Sequence, residues 1–399
     1  MKIAYLMDPL ENIQPENETT SHLMYACNER GHAVYFLEPH DVYIRNGQVV
    51  ARMRNITVKT GLSMAEYWQS IIRCTKQDHL VFEAITELDA LFLRSNPPLN
   101  YQTMEFLQTV NNHVFILNST TGQILGNSKL YILNFPEIIP ETHVSRDPSR
   151  LRKIIDDFGG AMVVKPLQRF GGEGVIKVST RDRMNLNSLI HYYVRAYESY
   201  ARREPIMVQE YLKSVKQDGD IRILLLNGEI IGAMRRKPKK GDFRTNVHAG
   251  GEVFAHRVTA REKQICQVIK EKLIADGLYF VGIDIIAGKL VEVNCVSPGG
   301  IPRINRLNND RIELKVIDFI EQKVDAGHCI SHRKPGSNGK RRFMPVSLKE
   351  YPPTVKRSLW PRVGAISCGL ARLPSICHSE TYQISKDRQD ATSTIWQTY

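Results

Sequence analysis

The chain has 399 residues, of which 42% are hydrophobic and 24% charged. This is the composition of an ordinary folded protein, so it excludes a wholly disordered or fibrous chain. The apolar stretch 278–287 is much shorter than the ~20 residues of a membrane-spanning helix and contains Asp284, so we expect no association with membranes. The seven cysteines form no CxxC or zinc-ligand spacing, which favours reduced thiols and a cytoplasmic location.

The net charge of +12 is unevenly distributed along the chain. The segment from Ser331 onward has 12 Lys and Arg against 4 Asp and Glu, so the first 330 residues carry only +4. That segment shows neither helical nor strand periodicity. We therefore predict a basic, poorly ordered extension at 329–399, with a basic arm for an acidic partner or a small packed module as alternatives. Its aromatic residues are scattered, which argues against nucleic acid as a partner.

Strands and helices alternate over the first 120 residues. In chain order, the patterns predict a strand at 2–7, a helix at 19–30, a strand at 33–39, a hairpin turning at Asn46-Gly47, a strand within 88–98, a helix at 100–110 and a strand at 113–119. Alternation of this kind predicts a parallel α/β layer.

The middle of the chain is organised differently, because antiparallel hairpins dominate it. The predicted elements are strands at 161–166 and 174–179 joined by a glycine-rich loop, a strand at 206–212, a hairpin at 221–234, a helix at 259–276, a hairpin at 279–294 and a helix at 309–324. This half is therefore predicted to be α+β, so the fold class is α/β followed by α+β.

Three acceptor side chains fall on the second of these hairpins. Asp284 lies on one strand, and Glu292 and Asn294 lie two apart on the other, so the latter two share a face. Oxygen ligands of this kind suit Mg²⁺, which takes further ligands from phosphates and water. The alternative is a solvated outer face of the hairpin.

A second group combines a lysine with glycines. Lys165 ends an apolar strand, and Gly171, Gly172 and Gly174 follow within ten residues. A lysine ammonium beside glycine N–H groups suits phosphate oxygens, although the pattern is not a Walker A loop. The alternative is an ordinary surface turn.

A third group consists of cations. Arg222 lies on an apolar strand and needs an anion, either carboxylate or phosphate. The segment 235–251 is cationic and bears glycines, so it is either a loop that closes over anions or a solvated basic loop.

Taken in order along the chain, these groups resemble the ATP-grasp superfamily. Flanking segments resemble prokaryotic glutathione synthetases in particular, among them VVKPLQRFGGEGVIKV (163–178), RTNVHAGG (244–251) and VEVNCVSP (291–298). The resemblance covers about residues 1–325. It implies an ATP-grasp fold in which 1–122 form an N-terminal α/β domain, 123–203 a subdomain with the glycine loop, and 204–328 a subdomain with the metal site and lid.

The resemblance also implies roles for individual residues. It assigns Lys129 and Lys165 to the nucleotide phosphates; Gly171, Gly172 and Gly174 to a loop over them; Gln209, Glu210, Tyr211 and Leu212 to the adenine edge; Asp220 to the ribose; Arg222, Arg236, Arg244 and Asn246 to the acid substrate and the transferred phosphate; and Asp284, Glu292 and Asn294 to Mg²⁺, or Mn²⁺ in its place.

The activity implied by the resemblance is ATP-dependent ligation of γ-glutamylcysteine to glycine through an acyl phosphate, by a homo-oligomer acting on small molecules. Positioning and charge neutralisation are what such chemistry needs, and Lys, Arg, carboxylates and Gly supply them. One departure begins at Gly299-Gly300, where this chain has GGIPR (299–303) and the best-known members have a Thr and then an Ile-Arg-Glu run. These glycines suit either a carboxylate held by backbone N–H groups or a different acceptor amine. The alternative function is therefore a ligase with another acid or amine, such as one that adds glutamate to a peptide terminus.

Overall fold

A computed structural model describes residues 1–76, 80–181, 183–239, 241–245 and 250–327. All of them belong to one compact unit. The predicted extension at 329–399 lies outside the described residues, and so does Asn246. No helix in the described part of the chain is long and apolar enough to cross a membrane.

The N-terminal sheet has seven strands. They are β1 (Lys2–Leu6), β2 (Ala33–Leu37), β3 (Val42–Arg45), β4 (Gln48–Asn55), β5 (Leu80–Ala84), β6 (Ala90–Leu93) and β7 (Phe115–Leu117). The helices of this part are α1 (Thr19–Glu29), α2 (Met64–Lys76), α3 (Tyr101–Gln108) and α4 (Thr120–Gly126). The predicted strands and helices of this region are therefore confirmed, within a few residues at their ends.

Only part of this sheet is parallel. The strands β2, β1, β6 and β7 pair in parallel, as predicted, but β3, β4 and β5 are antiparallel. The change from parallel to antiparallel pairing arises at the turn of Asn46 and Gly47, whose φ angles of 51° and 75° form a tight hairpin. A two-residue turn can join only antiparallel strands, so the predicted hairpin adds an antiparallel part to the predicted parallel layer.

The second sheet has four antiparallel strands in the order β10-β9-β11-β8. These are β8 (Thr142–Ser145), β9 (Ala161–Pro166), β10 (Ile176–Ser179) and β11 (Ile206–Glu210), and they are accompanied by α5 (Pro148–Phe158) and α6 (Arg183–Val194). One face packs on these helices through buried side chains that include Leu151, Ile155, Leu186 and Ile190. The side chains of Val163, Lys165 and Gln209 alternate with those that face the helices, so they lie on the other face.

The third sheet has five antiparallel strands in the order β14-β13-β12-β15-β16. After a short helix α7 (Val215–Asp218), the strands are β12 (Asp220–Leu226), β13 (Glu229–Lys237), β14 (Glu252–Ala255), β15 (Phe280–Ile286) and β16 (Lys289–Asn294). Both predicted hairpin turns are confirmed, since Asn227-Gly228 and Ala287-Gly288 all have positive φ. Helix α8 (Ala260–Ala275) covers one face through Ile265, Ile269 and Leu273.

Two helices follow the third sheet where one was predicted. Helix α9 (Ile301–Asn308) ends at Asn309 in the left-handed region with φ 51°, and α10 (Glu313–Asp325) begins shortly afterwards. Buried side chains of both helices join those of the N-terminal sheet and of β12 and β13 in one hydrophobic core. The third sheet is thereby fixed to the N-terminal sheet.

Candidate active site

Most of the predicted site residues line one cleft between the second and third sheets. It encloses about 760 Å³ of space, part of it open to solvent. Of the predicted residues, the lining includes Lys129, Lys165, Gly172, Gln209, Glu210, Tyr211, Leu212, Asp220, Arg244, Asp284 and Glu292. The lysines and the carboxylates, far apart in sequence, therefore meet in one place.

Strand register places the charges of the third sheet in a row. Arg222 on β12 is paired with Asp284 on β15, and Asp284 with Glu292 on β16. The Arg222 Nε and Nη2 atoms donate to Asp284 Oδ1 and Oδ2 at 2.5 and 2.8 Å. Of the two anions expected to pair with Arg222, carboxylate or phosphate, the structure shows a carboxylate. Arg236 also donates to Asp284, at 2.8 Å. The Asn294 amide lies 3.3 Å from Asp284 Oδ2.

A second carboxylate completes this buried network. Arg236 donates to both oxygens of Asp220 at 2.8 and 2.5 Å, and the Thr245 hydroxyl donates to Asp220 Oδ2 at 2.6 Å. Burial raises the pKa of Asp220, although Arg236 opposes this effect. Burial also acts to raise the pKa of Asp284, but Arg222 and Arg236 overcome it and hold that pKa well below its usual range. Asp284 is therefore a carboxylate at neutral pH.

The second sheet contributes a half-buried lysine without a carboxylate partner at hydrogen-bond distance among the described residues. Lys165 Nζ donates to Gln209 Oε1 at 2.7 Å, and Gln209 Nε2 donates to Thr142 Oγ1 at 2.8 Å. Burial lowers the pKa of Lys165 to about 8; Lys129 acts in the same direction, while Glu292 and Asp284 act against it. The cleft therefore holds a cation that an anionic ligand would stabilise.

Lys129 and the glycine loop close one end of the cleft. Lys129 Nζ donates to the carbonyl oxygen of Arg169 and lies 3.6 Å from Glu292 Oε1. The three loop glycines Gly171, Gly172 and Gly174 have φ angles of 62°, 80° and 68°. Glycine adopts these left-handed angles without the strain that a side chain would add. The loop over the cleft therefore depends on glycine.

The connection between β13 and β14 contributes Arg244, which differs from the other arginines in being partly exposed. It pairs with Asp242, two residues earlier in the chain, at 2.8 Å. Asp242 raises the pKa of Arg244, so this guanidinium is charged. Arg244 lines the cleft, and Asn246 falls outside the described residues.

The apolar half of the cleft was not predicted. Val163, Tyr211 and Val215 form a small buried cluster that Phe243 and Ile286 complete. A sequence signal was available, because residues two apart on a strand share a face. Val163 precedes Lys165 by two positions, and Ile286 follows Asp284 by two. Predicting Lys165 and Asp284 on the cleft face therefore also implied that Val163 and Ile286 lie on that face. This cluster offers a flat apolar surface for an aromatic base.

The acidic residues of the cleft meet some of the requirements of a metal site. Among the described residues, no group of three or more His, Cys, Asp and Glu side chains is arranged to hold one. The predicted set has only two carboxylates, and both oxygens of Asp284 bond to guanidinium groups. Asp284, Glu292 and Asn294 nevertheless offer the hard oxygen donors that Mg²⁺ prefers. The set fits a metal that takes its remaining ligands from phosphates and water.

The fold of the chain is the ATP-grasp fold. A crystal structure of D-cycloserine synthetase DcsG has a TM-score of 0.54 at 12% identity, and the match covers 80% of this chain and 99% of that one. A RiPP-associated ATP-grasp ligase from Chryseobacterium gregarium, in complex with ADP and a leader and core peptide, has a TM-score of 0.52 at 14% identity over 81% and 97%. At these identities the likeness concerns the fold alone.

The sequence narrows this class to one family. Residues 1–122 match the N-terminal domain of prokaryotic glutathione synthetase, and residues 128–309 match its ATP-grasp domain. The glutathione synthetase of Synechocystis sp. is 37% identical over 81% of this chain and 100% of its own length, and that of Thermosynechococcus vestitus is 38% identical over 80% and 99%. The chain therefore belongs to the prokaryotic glutathione synthetase family, whose members are ATP-dependent ligases that use a metal ion.

Proposed function

We propose that the chain joins γ-glutamylcysteine to glycine and converts ATP to ADP and phosphate. The observation that carries this proposal is the convergence of Lys129, Lys165, Asp284 and Glu292 in one cleft beside an apolar cluster. A triphosphate needs the cations, a divalent metal needs the carboxylates, and a purine needs the apolar surface. Family membership supports the same reaction.

The nucleotide would lie between the second and third sheets. Its base would pack on Val163, Tyr211 and Phe243, and backbone groups of 209–212 would contact the adenine edge. Lys129 and Lys165 would hold phosphate oxygens, with the glycine loop over them. The ammonium of Lys165 is already aimed into the cleft, and its neutral partner Gln209 orients it without cancelling its charge.

The metal-binding residues would be Asp284, Glu292 and Asn294, and we propose Mg²⁺ as the metal. When bound, it would neutralise phosphate charge. Arg222 adds a cation in the same row, and Arg236 keeps Asp284 ionised by holding the pKa of that carboxyl low. The chain thus keeps its acceptor carboxylates charged at neutral pH, which a metal site requires.

The reaction needs little acid–base catalysis by side chains. The carboxylate of γ-glutamylcysteine attacks the terminal phosphorus of ATP, and ADP leaves. The glycine amine then attacks the acyl carbon, and phosphate leaves as the amide bond forms. Charge accumulates on phosphate oxygens in both steps, so fixed cations lower both barriers. Since water also attacks an acyl phosphate, the segment between β13 and β14 would exclude it.

The purified full-length chain tests this proposal. We expect ADP and a product with the mass of glutathione when ATP, Mg²⁺, γ-glutamylcysteine and glycine are all present. When glycine is replaced by buffer, that product should be absent and ADP release should be much slower. A panel of other amines, glutamate among them, serves as the comparison. Turnover with glutamate and none with glycine would overturn the proposed substrate and leave the ligase class intact.

Oligomeric state and location remain predictions. Sedimentation of the active enzyme tests whether it is a homo-oligomer, and fractionation of cells tests the cytoplasmic location.

A further inference from the structure

The loop between β16 and α9 is fixed to the N-terminal domain by four hydrogen bonds. The Ser297 hydroxyl donates to the carbonyl oxygen of Arg94 at 3.0 Å, and Arg94 Nη1 donates to the Pro298 carbonyl at 3.1 Å. The Thr19 hydroxyl oxygen lies 3.0 Å from the Gly300 N–H and 3.3 Å from the Ile301 N–H. The loop is therefore held in one place, although it contains two glycines.

This arrangement bears on one of the two alternatives that the sequence left open for Gly299-Gly300. Backbone N–H groups of these glycines could bind a carboxylate, but the N–H of Gly300 already donates to Thr19. Gly300 itself adopts a φ of 130°, and an added Cβ would lie 3.2 Å from Met234 Cε. The glycine there serves the backbone geometry at the start of α9, and its N–H is not available to a substrate carboxylate.

Arg303, in the first turn of α9, is a half-buried cation without a partner. No hydrogen bond or ion pair joins its guanidinium to any residue in the described part of the chain. By contrast, Arg306 on the same helix donates to the Glu16 carbonyl and to Asn17 Oδ1, both at 2.8 Å. The nearby acid Glu18 lies against Arg94 instead, at 3.7 Å.

The surroundings of Arg303 make this lack of a partner costly. Burial lowers the pKa of Arg303; the positive charges of Arg306 and Arg236 act in the same direction, and only Glu18 opposes them. A cation that is partly removed from water and surrounded by like charges is stabilised when an anion binds. The site is therefore suited to an anionic ligand.

The position of α9 indicates which anion Arg303 would bind. The helix follows directly on β16, which carries Glu292 and Asn294, and it packs on β13, which carries Arg236. Gly232 on β13 permits this close packing, since an added Cβ there would lie 2.7 Å from Ile304 Cγ2. Arg303, the residue before Ile304, lies close enough to Arg236 for the two positive charges to act on each other.

We propose that Arg303 binds the α-carboxylate of the acceptor amino acid. In an α-amino acid only one carbon separates the attacking nitrogen from the carboxylate carbon, so the cation that binds this carboxylate must lie beside the acyl phosphate. Arg222 and Arg236 are engaged with Asp284 and Asp220, whereas Arg303 is free to take a carboxylate through its planar fork of donors. This inference rests on the proposed function, with glycine as the acceptor.

Steady-state kinetics of Arg303→Gln with glycine and with glycinamide, which lacks the carboxylate, test this role. We expect the KM for glycine to rise roughly 10- to 100-fold, the usual effect of losing one charged hydrogen-bond partner. The KM values for ATP and γ-glutamylcysteine should stay within about twofold. Glycinamide should react equally slowly with both enzymes, because it never contacts Arg303. Arg303→Lys should recover part of the affinity for glycine, since it restores the charge but not the fork.

The matched control is Arg306→Gln, which removes a cation from the same helix at an exposed position and should leave the KM for glycine unchanged. Urea unfolding of all three variants identifies any that are misfolded. A normal KM for glycine in Arg303→Gln, or a rise confined to γ-glutamylcysteine, would overturn the inference. A wild-type chain that makes no product with glycine would instead overturn the proposed function.

Discussion

The half-buried lysine of the cleft predicts how ATP binding depends on pH. Lys165 has a pKa of about 8 in the free protein, below the ordinary value of 10.5, because its removal from water disfavours the charged form. That lowering corresponds to about 3 kcal/mol of preference for the neutral form. Phosphate oxygens would restore the charge, so above about pH 8 ATP binding must be accompanied by the uptake of a proton.

Calorimetry measures this uptake directly. At about pH 9 roughly nine-tenths of free Lys165 is neutral, so ATP binding should take up close to one proton. Titrations in two buffers with different ionisation enthalpies give that number, and the affinity for ATP should fall by up to about tenfold per pH unit between about pH 8 and 10. Lys153→Met, which removes an exposed lysine on α5, should behave as wild type.

Stability of the free protein gives an independent check. The unfolded chain keeps the Lys165 proton up to a pH near 10.5, whereas the folded chain loses it near pH 8. The unfolded state thus binds more protons in this window, so Lys165 makes the free energy of unfolding rise with pH. Lys165→Met should lack this rise. ATP affinity independent of pH between about 8 and 10, with no proton uptake, would refute the reasoning.

Three further changes follow from particular contacts. Glu292→Gln should lower metal-dependent turnover by about 100-fold and leave urea unfolding unchanged, because Glu292 is a ligand rather than a packing residue; full activity would discard the metal assignment. Thr19→Val leaves the N–H groups of Gly300 and Ile301 without an acceptor, so the free energy of unfolding should fall by about 1–3 kcal/mol, whereas Thr19→Ser should retain most of it. Deletion of residues 331–399 should leave turnover nearly unchanged, because the family match ends at residue 309; a collapse in turnover would assign the extension a role.

The hairpins were predictable because their turns depend on local chemistry alone. Asn46-Gly47 and Asn227-Gly228 both adopt the positive φ angles that Asn and Gly tolerate best. Period-two spacing likewise located the charged faces of the strands. Parallel pairing, by contrast, depends on which strands meet across the fold, and no local pattern indicated that β4 would join β2 in antiparallel orientation.

Helices α9 and α10 show a different limit of prediction from the sequence. The sequence pattern placed one helix from Asn309 onward, whereas Asn309 ends one helix and a second begins at Glu313. Pro302, near the beginning of α9, is a start signal that the periodicity argument overlooked. The ion pairs of Arg222 and Arg236 could not be chosen from the sequence, since either carboxylate or phosphate satisfies a guanidinium; strand register decided between them.

The cations of the cleft fall into two groups with opposite consequences. Arg222 and Arg236 are paired with buried carboxylates, so they compensate charge within the fold; Lys165 and Arg303 lack such a partner among the described residues. Arg236→Met should lower the free energy of unfolding by about 3–5 kcal/mol, because it leaves Asp220 and Asp284 buried without their shared cation. Lys165→Met removes a half-buried charge instead, so at neutral pH it should leave stability unchanged or raised while ATP affinity falls. Urea unfolding of both variants measures the contrast, and equal losses of stability would show that the two groups of cations do not differ.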